Sequence, residues 1–116
     1  MAMVRILSGK GHHCDYTPGS DVENGDVVVQ GDLVGVADAD IDASVKGALV
    51  TSGVVIAAQK ATTSGSAITA GSQCYWDAGN EVATTTASTH KKLGTSVVAA
   101  ADADGEVNIA LGHHVA

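Results

Sequence analysis

The stretch "GHHCD" at residues 11–15 sets two imidazoles, a thiol and a carboxylate in a row. These are donor types that hold zinc or nickel. Neighbours in a strand point to opposite faces, so two adjacent histidines chelate one ion only from a loop. Neither the pair His12 and His13 nor the second pair, His113 and His114, has the spacing of a metal site. Both read as solvated polar segments, and Cys14 beside His13 is poorly placed for a nucleophile and its base. Asp38, Asp40 and Asp42 alternate as the first ligands of a calcium loop do, but Ala43 stands where that loop needs glycine and Leu49 where it needs glutamate. Asp102, Asp104 and Gly105 read as turn chemistry. "SGKG" at 8–11 lacks the first glycine and the final hydroxyl of a phosphate loop. No serine elbow or zinc-protease helix motif occurs, nor any carboxylate pair in an apolar setting. The expectation is therefore a protein that is not an enzyme, with no cofactor and no metal.

A different chemistry is on offer at Tyr75 and Trp76. They are neighbours in a chain of 116 residues with one tryptophan, two tyrosines and no phenylalanine. Alternation in a strand sends one ring inward, as the largest filler of an aliphatic core, and the other outward. The pair is expected to be a structural anchor. The competing reading makes Trp76, with Tyr16, a platform on which a sugar ring stacks.

The elements that must position these residues are short. Turn signals recur at Pro18-Gly19, Asn24-Gly25, Gly31-Asp32, Ser52-Gly53, Ser64-Gly65, Ala70-Gly71, Gly79-Asn80 and Asp104-Gly105. Between them, β-branched runs predict strands at 4–7, 26–30, 33–37, 53–58, 73–76, 81–86, 93–100 and 106–111. Residues 38–48 contain the one plausible helical turn. Two hairpins are expected, one around "DAGN" (77–80) and one around "ADADG" (101–105), so that the C-terminal half forms a meander. Such spacing predicts an all-β, single-domain sandwich or barrel.

Hydrophobic residues make up 45% of the chain but aromatics only 3%, so the core is thin and an interface is the natural place to bury more apolar surface. The net charge of −7 repels phosphate backbones and anionic lipids, and neither nucleic acid nor a membrane is an expected partner. No apolar run reaches membrane-spanning length and the N-terminus lacks a leader's pattern. The chain is expected to be soluble and unprocessed, with Cys14 and Cys74 as free thiols in a reducing cytoplasm.

Gly71, the triplet Tyr75-Trp76-Asp77, the strand from Val82 to Thr85, Leu93-Gly94 entering a Val/Ala strand, an Asp/Gly turn and then Val107 to Leu111 form a connected pattern. It resembles the capsid cement, or decoration, proteins of tailed phages and prophages. "NGDVVVQGDLVGVA" (24–37) is similar to that family's paired Gly-Asp strands, so the resemblance runs over about residues 4–112 by pattern comparison; "KGHHCDY" departs from it. The resemblance implies a β-tulip-like domain that binds the outside of the assembled head, commonly as a homotrimer, and reinforces it. The implied partners are the major capsid protein and further copies of the chain. The implied location is the outer surface of the virion, after synthesis in the bacterial host cytoplasm. On this reading residues 1–20 are an extended N-terminal arm and 21–116 the β domain, with Val4, Arg5 and Ile6 as the expected capsid contact; the alternative is a virion-displayed carbohydrate- or host-surface-binding module that uses Trp76 and Tyr16.

Overall fold

The structure, a computed structural model, describes residues 4–9, 11–31 and 33–112. Its organising feature is one long antiparallel ribbon folded at a corner. Strand β1 (Val4–Ser8) continues into β2 (His12–Tyr16), and β5 (Gly47–Ser52) continues into β6 (Val55–Gln59). β1 pairs with β6, from Val4 opposite Ala58 to Ser8 opposite Val55, and β2 pairs with β5, from His12 opposite Ser52 to Tyr16 opposite Gly47. At the bend, Gly9, Gly11 and Gly53 all have φ between 75° and 94°. A β-carbon on Gly9 would collide with the carbonyl oxygen of Gly53. Only glycine supplies both the left-handed backbone and the close approach there.

The bend carries the ribbon from one sheet into the other. β3 (Val27–Gln30), β4 (Leu33–Ala37), β5 and β2 form a four-stranded sheet in the order β2-β5-β4-β3. β3 and β4 are a tight hairpin in which Gln30 faces Leu33, with Gly31 at φ 62°, the sign of φ that two-residue hairpin loops demand. The remaining strands are β7 (Gln73–Asp77), β8 (Val82–Thr84), β9 (Lys91–Ser96) and β10 (Glu106–Leu111). They join β1 and β6 in a six-stranded sheet ordered β1-β6-β10-β9-β7-β8, antiparallel throughout. The architecture is the expected all-β sandwich, not a closed barrel. No helix occurs among the described residues.

Four particulars differ from the strands and turns expected. β1 and its partner β6 match the strands expected at 4–7 and 53–58, but β2 was not expected, and its partner was hidden because β5 opens on Gly47-Ala48, weak strand formers. Residues 38–46 form turns rather than a helical one: Ser44 takes φ 65°, its N–H donates to the Pro18 carbonyl, and Val45 N–H donates to the Asp42 carbonyl. The C-terminal half is not a simple meander, because β9 pairs with β7 on the side away from β8 and β8 becomes an edge. The expected strand at 93–100 also stops at Ser96. There the Ser96 hydroxyl donates to the Thr69 carbonyl at 2.7 Å and accepts from the Ser72 N–H at 3.0 Å. These bonds turn the chain outward, leaving Val97 and Val98 exposed.

The main core lies between the sheets and contains Val4, Val36, Val50, Ile56, Trp76, Leu93, Val107, Ile109 and Leu111. A smaller cluster of Ala37, Ile41 and Leu49 lies on the other side of the four-stranded sheet, covered by Cys14, Tyr16, Val22 and Val28. With so few rings, aliphatic strands alternating in and out supply nearly all the buried area.

Candidate functional site

The polar constellations that looked capable of chemistry are dispersed by the backbone. Alternation along β2 sends His13 to Asp38 (3.0 Å) and Asp15 to Lys46 (3.2 Å), while Cys14 packs half-buried in the smaller cluster. Asp40 accepts the Asn24 N–H at 2.8 Å, so the alternating aspartates serve different neighbours. Asp102 accepts the Ala67 N–H and Asp104 the Ala101 N–H, as turn carboxylates do. No group of three His, Cys, Asp or Glu side chains suited to a metal ion occurs among the described residues. His113 and His114 lie outside them.

Trp76 is 2% exposed and belongs to the main core, so it offers no face to a sugar. Tyr75 is half-buried on the opposite face of β7, beside Lys92 of β9 and Thr84 of β8. Tyr16 covers the smaller cluster. The two rings once paired as a platform thus belong to different cores.

Asp77 closes the β7–β8 hairpin. Its Oδ1 accepts the N–H groups of Gly79 and Asn80 at 3.1 Å each, and its Oδ2 accepts the Asn80 side-chain amide at 2.8 Å. His90 Nε2 stands 3.8 Å away. Hydrogen bonds from the Asn80 side chain and backbone, with smaller help from His90 and Gly79, hold its carboxyl below the ordinary carboxylate range. Cys74, on the core side of the same strand, has its thiol pushed up to about 11 by burial. It is an inert core residue.

The expected contact residues fall on β1, an edge strand of the six-stranded sheet. Val4 is 3% exposed and part of the core, and its N–H donates to the Gly25 carbonyl at 3.0 Å. Ile6 is on the same side of the sheet as Ile56, but at the margin, where it is 37% exposed. It lines a groove of about 380 Å³ with Arg5, Asn24, Gly25 and Asp38, floored by Val4, Val36 and Ala37. Arg5 points the other way, and its guanidinium bonds Glu106 of β10 at 2.7 Å.

Charge is divided unequally between the sheets. Residues 12–52, which make β2 to β5, hold eight of the thirteen carboxylates against one lysine, a net −7. The rest of the chain holds five carboxylates against five lysines and arginines and is neutral. The whole net charge is therefore carried by the four-stranded lobe.

The family model for phage cement proteins matches residues 8–111. The chain belongs to the phage cement protein family. No curated protein and no solved structure matches it.

One residue of this cement-family chain escaped the sequence reading. Lys60 follows β6 and is 4% exposed. Its ammonium donates to the carbonyls of Ala61 (2.7 Å), Asp102 (3.1 Å) and Asp104 (3.1 Å) and to the Ser66 hydroxyl (3.2 Å). Its backbone bridges Ala83 of β8, and its N–H donates to the Gly105 carbonyl. Lys60 therefore ties both ends of the curled six-stranded sheet to the loop before β10. A lysine in a Ser/Thr-rich sequence carries no signal of this, because the link to the loop before β10 is made through backbone carbonyls of residues far along the chain.

Proposed function

We propose that this protein is a structural cement subunit that binds the exterior of an assembled phage head, as a homotrimer, and stabilises the shell against heat and disassembly. The family match across residues 8–111 carries the reading. The chemistry of the chain agrees with it: His13, Asp15, Asp38, Asp102 and Asp104 are engaged in ion pairs or turn hydrogen bonds. A ligand that binds only the assembled shell stabilises that form by mass action, and many modest contacts add up over many copies. The major capsid protein is the partner, and the β1 edge is part of the contact. Arg5 and Ile6 reach solvent there, while Val4 supports them from the core.

The test is the mass of the free protein by light scattering, followed by co-sedimentation with undecorated heads of its phage and a heat challenge. A trimer that pellets with the heads and raises their melting temperature is the expected result. A protein that remains in the supernatant and leaves the heads no more stable overturns the proposal. Catalysis is not part of the role, so decorated heads should gain stability without any turnover of a small molecule.

A further inference from the structure

The geometry points to the outer face of the six-stranded sheet as the surface that lies against the shell, with the acidic four-stranded lobe projecting away from it; this rests on the cement reading above. Register identifies the outward residues of the central strands. Val107, Ile109 and Leu111 of β10 face the core, so Asn108 and Ala110 face out. Val55 opposes Ala110 on β6 and is half-buried, while Ala57 and Thr95, on the same side, are covered at 1% and 8% exposed. Leu7 on β1 flanks this area at 44% exposed and Val97 flanks it at 46%. The one carboxylate on β10, Glu106, is matched by Arg5 at 2.7 Å.

Three observations favour this face over the rest of the molecule. Its central residues, Asn108, Ala110 and Val55, are uncharged, and the charges on this side are Lys92 beside Tyr75 and the paired Arg5 and Glu106, so drying it strands fewer ions than an acidic face would at its carboxylates. Leu7 and Val97 supply exposed apolar anchors beside a small-residue centre, the composition of an interface core rather than of a rim. The −7 of the other lobe would set neighbouring copies against one another in a contact, but directed outward it keeps decorated particles apart. The occupant is the shell because the family is one of phage cement proteins. A second copy of the chain is the alternative that the experiment separates.

The experiment uses full-length protein and undecorated heads in a co-sedimentation titration. Leu7→Glu and Asn108→Glu place charge on the face, while Asp15→Lys and Asp42→Lys alter the acidic lobe. Thermal unfolding of each free variant reports its fold, and the exposed Leu7 site keeps the test open if the Asn108 variant unfolds. The face variants are expected to weaken binding about tenfold or more, and the lobe variants less than about twofold. Wild-type binding should change little as salt rises from about 50 to 500 mM, because screening acts on charged contacts. Face variants that bind like wild type, lobe variants that lose binding, or salt that strips the wild type would each overturn the inference while leaving the cement reading intact. Face variants that change the mass of the free protein yet decorate heads normally would reassign the face to contact between copies and overturn the inference as well. Wild-type protein that never pellets overturns the cement reading, and this inference with it.

Discussion

Single residues in this protein act by satisfying local demands, and their effects are measurable one at a time. Asp77 is the clearest case. Its folded-state carboxyl is held below the ordinary range by Asn80, so it stabilises the native state above the unfolded carboxylate pKa, and that contribution disappears as pH falls through the depressed folded value. Thermal melts of wild type and Asp77→Ala should differ at neutral pH and converge in acid below the ordinary carboxylate range; curves that stay parallel would show the hairpin gains nothing from this charge. Lys60→Met removes the buried ammonium that donates to the Ala61, Asp102 and Asp104 carbonyls and is expected to lower unfolding free energy by about 2–3 kcal/mol in denaturant titration, the scale of hydrogen bonds to a charged group. Trp76→Ala should cost about 3–5 kcal/mol by the same measurement, as for other large core truncations. The paired rings at 75 and 76 were legible because strand alternation alone settles that one must face inward. Lys60 was not, because the Asp102 and Asp104 carbonyls that tie it to the loop before β10 lie some forty positions away and are backbone atoms that any residue provides.

At the scale of elements, glycine decides where strands can meet. The corner at Gly9 needs both a left-handed φ and direct backbone approach to Gly53. Gly65 has φ 83° with open space around the missing β-carbon. Gly65→Ala should therefore cost only the left-handed penalty, about 1 kcal/mol, whereas Gly9→Ala should cost about 2 kcal/mol or more because the backbone must also move. Equal losses in a chemical melt would mean the corner is not as tightly packed as the geometry says. Eight strands were legible from β-branched runs bounded by turns, and the hairpin around Asp77 was legible from its turn residues. β2 and β5 were not, since "HHCDY" and "GALVTS" have neither the composition nor the alternation of a strand and are held by pairing with each other. The insertion of β9 between β7 and β10 was also hidden. It depends on Gly94, where a β-carbon would strike the Ala110 carbonyl, and close approach between distant strands leaves no local trace beyond the glycine itself.

For the whole molecule, concentration of the net charge in one lobe sets its response to salt. Eight carboxylates on a four-stranded lobe repel one another over distances that salt screens. The melting temperature of the free protein should rise as sodium chloride increases from about 10 to 150 mM, over which screening shortens from tens of ångströms to less than ten; a flat response would mean local pairs such as His13 with Asp38 and Asp15 with Lys46 already neutralise the lobe. The sequence displayed the acidic total but not its division, because the division becomes spatial only once residues 12–52 are known to form one sheet. The strand order has a kinetic meaning too. β10 is the last strand of the chain, yet it lies in the middle of the six-stranded sheet and joins β1-β6 to β9-β7-β8. Until Glu106–Leu111 has been made, those two halves of the sheet are joined only by the bridge between Lys60 and Ala83, so the six-stranded sheet is completed last. A chain interrupted before β10 then lacks the middle of that sheet and the part of the core that Val107, Ile109 and Leu111 supply.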